Sequence, residues 1–322
     1  MSAPPTSYEQ SLVVAERAQA AYETISLTLR HPEGEVLPDW QPGAHVELLL
    51  GNGLTRTYSL CGDPADRTAW RIAVLRTPDS RGGSACVHDK LHPGVRVEVR
   101  GPRNNFPLRP ARRYLFVAGG IGITPLLPMV AAVEAAGTPW HLLYGGRSRA
   151  SMAFTSQLAR YGEKVTLRPQ DEYGLLDLDA HLGEPDGDTL VYCCGPEPLL
   201  AAIEEHCRAW PTGALQMERF TAKAQEAQEA QGAGTAFEVV CAESGVTVQV
   251  PPEHTVLSAV RAAGIDAPFS CTDGICGTCE TEVLEGEPDH RDSVLSPEDR
   301  AAGETMMICV SRARGPRLVL DL

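Results

Sequence analysis

Four cysteines near the C-terminus constrain this chain more than any other feature. Cys271, Cys276 and Cys279 stand in the run CTDGICGTC, and Cys309 follows thirty residues after the third. A C-x4-C-x2-C triplet with a distant fourth thiolate is the ligand spacing of a one-electron 2Fe–2S cluster. Thiolate is the ligand type this requires, because soft sulfur holds ferric iron and delocalises the transferred electron. Gly274 and Gly277 suit the same loop: without a Cβ the chain can curl closely and aim backbone N–H groups at sulfur. Zinc is the competing metal, but structural zinc sites usually use two separated C-x2-C pairs, and this run has one. Ten cysteines in 322 residues are too sparse for a disulfide framework.

No stretch approaches the roughly 18 apolar residues of a membrane span, and the start, MSAPPTSYEQSLVVAERAQ, lacks a basic segment followed by an apolar run. The expectation is a soluble, cytoplasmic protein. The net charge of −14 argues against nucleic acid or anionic membrane as partners. From Phe237 to the end there are fifteen acidic residues against six arginines, so this segment alone carries −9. Such a bias fits a solvated surface or a face that steers a basic partner protein.

Three blocks are visible. Up to about Pro110, short apolar runs (HVELLLG, AWRIAVLR, VRVEVRG) separated by Gly and Pro predict an antiparallel barrel, interrupted by a helix over SACVHDKL. From Arg112, YLFVAGG, WHLLYGG, KVTLRP and LVYCCGP alternate with helical segments, among them FTSQLARYG, which predicts a parallel sheet covered on both faces. The polar, repetitive TAKAQEAQEAQGAGTA reads as a linker. Two strands (FEVVCAESGVTVQV), a helix (TVLSAVRAAG) and the cysteine run complete the chain. The expected division is 1–110, 111–221, a linker over 222–236, and 237–322.

GGIGITP, from Gly119 to Pro125, follows one apolar strand and opens a helix, and CCGPEPLL, from Cys193, makes a second strand-to-helix turn. Glycines there let a backbone approach a pyrophosphate that the helix N-terminus attracts. RGGS (Arg81, Gly82, Gly83, Ser84) before a helix is an anion cradle or an ordinary capped turn. RTYSL sets Arg56 and Tyr58 on one face of a strand, and Thr57 and Ser59 on the other. Cys61, Cys86, Cys193 and Cys207 fit small packing positions. His45, His88, His92 and His290 show no ligand spacing and fit satisfied or surface positions.

Together, RTYSL, RGGS, GPRNNFPL, GGIGITP, CCGP, ERF and CTDGICGTCETEVLEGEPDHRDSVLS ending in ICVSRARG resemble the phthalate dioxygenase reductase family, which includes vanillate demethylase reductases. The resemblance spans nearly the whole chain. It implies a multidomain fold: a flavin-binding antiparallel barrel, an α/β nucleotide domain and a C-terminal β-grasp, plant-type ferredoxin domain. It implies that Arg56, Thr57, Tyr58 and Ser59 line the flavin, and that Arg81, Gly82, Gly83 and Ser84 hold its phosphate. Gly120, Gly122, Thr124 and Pro125 would hold the pyrophosphate of the donor, with Cys194 and Gly195 at the nicotinamide. Ser59, Cys194 and Phe220 would then flank hydride transfer, and Cys271, Cys276, Cys279 and Cys309 would ligate the cluster.

The family's flavin is FMN; related reductases use FAD. Its usual donor is NADH, although the acidic ribose reader expected about twenty residues after the glycines is missing. Arg147 and Arg149 stand there instead, suited to a 2′-phosphate, to adenine or pyrophosphate, or to solvent. The expected partner is a Rieske-type terminal oxygenase docking near the acidic domain. The alternatives are a haem monooxygenase, a non-catalytic flavin and iron–sulfur redox sensor, and a flavin reductase whose ferredoxin is idle.

Overall fold

The computed structural model describes residues 9–51, 54–78, 82–221 and 235–322, which form two compact units divided after Glu218. Arg81 and residues 222–234, most of the expected linker, lie outside the described residues.

The first unit begins with β1 (Glu9–Ala21), β2 (Thr24–Arg30), β3 (His45–Leu49), β4 (Thr55–Ser59), β5 (Trp70–Leu75), helix α1 (Gly83–Lys90) and β6 (Arg96–Arg103). The strands pair antiparallel in the order β4-β3-β6-β1-β2-β5. The two outer strands are fastened where the chain leaves β4: the Cys61 N–H donates to the Arg71 carbonyl at 2.8 Å, and Arg71 Nη2 returns a bond to the Cys61 carbonyl at 2.6 Å. Alternating inward residues, among them Leu12, Val14, Leu27, Leu29, Val46, Leu48, Trp70 and Ile72, fill the barrel. Each such large side chain contributes about 1.5–3 kcal/mol of burial. Strand β1 is the element sequence pattern alone conceals, because ERAQAA carries no strand-like alternation of apolar residues.

The same unit continues with β7 (Arg113–Gly119), α2 (Ile123–Ala135), β8 (Trp140–Gly146), α3 (Thr155–Leu158), β9 (Val165–Pro169), α4 (Gln170–Tyr173), α5 (Asp179–Leu182), β10 (Thr189–Cys194), α6 (Glu197–His206) and β11 (Leu215–Glu218). These strands are all parallel, in the order β11-β10-β7-β8-β9. Burial on both faces explains the nearly unbroken apolar run of β7. The segment FTSQLARYG is α3 followed by a 3-10 turn to Lys164, broken at Gly162 (φ 55°), rather than one helix. The strand order reverses between β7 and β10, so the carboxyl ends of these two strands form the switch point at which such sheets take ligands.

Barrel and parallel sheet share a core. Cys61, Ala73 and Phe106 join Phe116, Ile123, Leu126 and Tyr144 in one buried cluster. Arg71 also donates to Gln157 at 3.2 Å, and its guanidinium covers the Phe154 ring at 5.2 Å. These contacts fix the barrel against the sheet.

The second unit contains β12 (Phe237–Cys241), β13 (Val246–Val250), α7 (Val256–Ala262), β14 (Glu280–Glu285), β15 (Pro288–Asp289), α8 (Pro297–Ala302), β16 (Thr305–Met307), β17 (Arg312–Ala313) and β18 (Arg317–Leu320). The main sheet runs β13-β12-β18-β14-β16, with β12 and β18 parallel. Thr255 caps α7 through Ser258 N–H at 3.1 Å. Its apolar side (Val256, Leu257, Val260) enters the core with Phe237, Val239, Met306 and Leu318. A mixed sheet grasping one helix is the β-grasp arrangement that the resemblance implies.

Candidate cofactor sites

In the barrel, Arg56 of β4 reaches the start of α1. A Cβ placed on Gly83 would stand 2.4 Å from Arg56 Nε and 2.7 Å from its Cγ, so the guanidinium stem occupies the space that a side chain would fill. Gly82 adopts φ 84°, a conformation costly for other residues, and no side chain caps the helix. A cation beside an uncapped helix start is a phosphate cradle. Ser84, by contrast, is buried and engaged: its Oγ lies 3.2 Å from the Thr77 N–H, which donates to it, and 3.1 Å from Thr77 Oγ1. It shapes the cradle by tying β5's end to α1. Tyr58 packs against the barrel core. Thr57 Oγ1 is buried with no protein partner, a hydroxyl suited to a bound ring with polar edges. These residues fit a flavin mononucleotide.

The two glycine turns meet at the switch point. A Cβ on Gly122 would stand 2.2 Å from the Cys194 carbonyl oxygen, and one on Gly119 would stand 2.6 Å from Pro196 Cδ. A Cβ on Gly195 would in turn lie 3.0 Å from Gly119 Cα. Only glycine allows these turns to pack. Gly120 faces open space at φ 54°, which leaves its backbone available to a close ligand. Thr124 is buried and donates to the Ile121 carbonyl at 3.0 Å, while Pro125 lies in the first turn of α2. Both shape the turn. The Tyr144 hydroxyl donates to the Gly120 carbonyl at 3.1 Å, tying β8 to it.

One residue that the sequence reading did not single out sits among these. Glu218 ends β11 opposite Cys194 in register, and its carboxylate hydrogen-bonds Ser59 of the barrel. The residue is half-buried, yet Oε2 is shut off from solvent without a partner. Burial pushes its pKa up to about 8, against the pull of the Ser59 hydroxyl. Burial, with Glu218 nearby, also raises the Cys194 thiol well above its ordinary range, so this thiol stays neutral. Ser59, Glu218 and Cys194 thus bring the ends of barrel and sheet strands to one place. Phe220 is 37% exposed and belongs to the second unit.

In the second unit the four cysteines converge. Cys271 is within hydrogen-bonding reach of Cys276 and Cys309, and Cys309 of Cys279. Those contacts link the four thiols in the order Cys276, Cys271, Cys309, Cys279, a donor set that fits a 2Fe–2S cluster. The hydrogen bonds from Cys276 and Cys309, with backbone N–H groups of Ile275 and Asp273, hold Cys271 below the ordinary thiol range; the Asp273 N–H is 3.3 Å from its sulfur. Thr272, Gly274 and Gly277 all have positive φ, which curls the loop so that N–H groups turn inward.

That loop is held from outside by RDSVL, the end of the same run. A Cβ on Gly274 would stand 3.1 Å from Asp292 Cα, and the Ser293 N–H donates to the Gly274 carbonyl at 2.8 Å. Asp292 Oδ2 accepts from Val294 and Leu295 N–H at 2.9 and 2.8 Å and pairs with Arg300 at 3.5 Å. His290 is not a surface histidine: its side chain is 6% exposed, and Nδ1 lies 4.0 Å from Asp292 Oδ1.

Comparison with known proteins agrees with both halves. Residues 239–314 match the 2Fe-2S iron-sulfur cluster binding domain, and residues 116–205 the oxidoreductase NAD-binding domain. Phenoxybenzoate dioxygenase subunit beta from Ectopseudomonas oleovorans is 44% identical over all of both chains. A structure entitled phthalate dioxygenase reductase, described as modular for electron transfer from pyridine nucleotides to [2Fe-2S], superposes with a TM-score of 0.71 at 35% identity and 98% coverage of each chain. An intact type IV self-sufficient cytochrome P450 monooxygenase superposes with a TM-score of 0.92 at 47% identity; 98% of this chain matches 41% of that one. No helix among the described residues is long and apolar enough to cross a membrane. With a full-length relative at this identity, a matching modular structure and both domain types in order, the chain belongs to the phthalate dioxygenase reductase family of flavin and iron–sulfur oxidoreductases.

Proposed function

We propose that this chain is the reductase component of a multicomponent oxygenase, carrying electrons from NADH through FMN and a 2Fe–2S cluster to a terminal oxygenase. The observation that supports it most is the meeting of Ser59, Glu218 and Cys194, where the barrel end with the phosphate cradle adjoins the switch point of the nucleotide sheet. Bound flavin accepts hydride as an electron pair and releases electrons singly, and a bound cluster carries them one at a time. Arg56, Gly82 and Gly83, with Arg81, hold the flavin phosphate; Thr57, Tyr58 and Ser59 line its ring. Gly120 and Gly122 receive the donor pyrophosphate, and Cys194 and Gly195 border the nicotinamide. Cys271, Cys276, Cys279 and Cys309 ligate the cluster. No side chain needs to move a proton for hydride transfer, so the protein's contribution is proximity and orientation. The working division is 1–110 for flavin, 111–221 for nucleotide and 237–322 for the cluster.

The partner we favour is a Rieske-type oxygenase, approached through the acidic C-terminal domain. A haem monooxygenase is the second reading, favoured by the likeness to the self-sufficient P450 structure. NADH-dependent assays separate the relay from an idle ferredoxin. In Cys276→Ser, cytochrome c reduction falls by more than about tenfold while ferricyanide reduction persists. If both persist unchanged, the relay is wrong.

A further inference from the structure

A cavity of about 500 Å³ opens on the barrel where β3 ends, α1 ends and β6 begins. None of its walls belongs to the flavin, nucleotide or cluster sites assigned above. The floor is apolar. Leu50, Leu91 and Val97 keep only 5%, 6% and 5% exposure, and Leu49, Val95 and Cys86 stand half-buried beside them. Val95 and Cys86 pack directly on the barrel core, so the core comes to the surface here. The rim is cationic. Lys90 and Arg96 are both exposed, and the side chain of neither forms a hydrogen bond or ion pair with another described residue. Nearby arginines are held differently: Arg76 is taken by Asp89 and Arg100 by Glu9, each at 2.7 Å. Glu98, on the same strand as Arg96, is the single acid in the lining, which leaves the cavity a charge of +1.

We propose that this cavity binds a carboxylic acid with an apolar body, the body lying on Leu50, Leu91 and Val97 and the carboxylate meeting Lys90 and Arg96. An apolar floor stabilises each methylene removed from water by about 0.8 kcal/mol. Two cations without a protein partner favour an anionic head over a neutral one, and repel a cation. The volume lies within the range of cavities that enclose small ligands. A nucleotide fits poorly, because the floor holds no polar groups for ribose or base. Cys86 supplies a reporter in the wall: of the six cysteines outside the cluster set, it alone is not buried. The proposal is independent of the flavin and nucleotide assignments.

Calorimetric titration of the loaded full-length protein with octanoate, 1-octanol and octylammonium tests it. A single octanoate binds per chain, about tenfold or more tightly than octylammonium, with 1-octanol between them. Hexanoate, two methylenes shorter, binds about tenfold more weakly than octanoate. Added salt weakens octanoate and leaves 1-octanol unchanged. Lys90→Glu combined with Arg96→Glu, both surface changes, lowers octanoate affinity about tenfold or more and turns the preference toward octylammonium. Bound octanoate also slows alkylation of Cys86 by N-ethylmaleimide, a reaction identified by its loss in Cys86→Ser. Equal affinity for the three head groups, octanoate binding unchanged by the charge reversal, an undiminished rate of Cys86 alkylation at saturating octanoate, or no binding at all overturns the proposal. A concentration-dependent dimer that octanoate dissociates would give the cavity to a second copy of this chain and overturn it equally.

Discussion

Glu218 and Ser59, one ending the last strand of the parallel sheet and the other the fourth strand of the barrel, share a hydrogen bond. The carboxyl is held mostly neutral at physiological pH because burial raises it to about 8. Below an unfolded value of about 4.5 both states are protonated; between there and about 8 the unfolded chain has released a proton that the folded one keeps. Stability therefore falls as pH rises through this window and levels off above it. We expect Glu218→Gln to remove this slope, worth a few kcal/mol at most, in urea unfolding of the first unit's signal at the two ends of the window. Equal slopes in both proteins would contradict the assignment.

Gly122→Ala should separate the two turns. A Cβ there meets backbone, the Cys194 carbonyl, which cannot rotate away. We expect a loss of about 1–3 kcal/mol in the first unit and a collapse of NADH-driven flavin reduction, while dithionite still reduces the cluster. Normal NADH turnover in this variant would show that the turns tolerate separation.

Much of this was legible in the sequence for physical reasons. Four thiolates at fixed spacing need no tertiary information, and YLFVAG declares a strand buried on both faces. The residues that stayed hidden act across long separations. Glu218 looks like one more acid in MERF until strand register sets it opposite Cys194. Ser84 and Thr124 stand in the glycine-rich motifs, and only the structure shows that their hydroxyls also brace Thr77 and Ile121.

Asp292→Ala should loosen the cysteine loop. It removes the acceptor for two half-buried N–H groups and the partner of Arg300, at a cost of about 1–3 kcal/mol. Purified protein should lose iron faster on dilution than wild type, and Asp292→Asn, which keeps one oxygen, should fall between them. Equal iron retention would assign the segment no role in holding the loop.

Arg56→Ala removes the cation beside the α1 start. We expect flavin affinity to fall about tenfold or more, read as fluorescence released on dialysis, with little change in iron content. Undiminished flavin retention would move the phosphate site elsewhere.

The central claim is that electrons from NADH reach the four-cysteine cluster through the flavin. Anaerobic titration with NADH, followed by flavin absorbance and by low-temperature electron paramagnetic resonance, tests it directly. The relay predicts flavin bleaching together with a reduced 2Fe–2S signal approaching one spin per cluster, the signal being absent in Cys276→Ser. Bleached flavin with a cluster that dithionite reduces but NADH never does would contradict it.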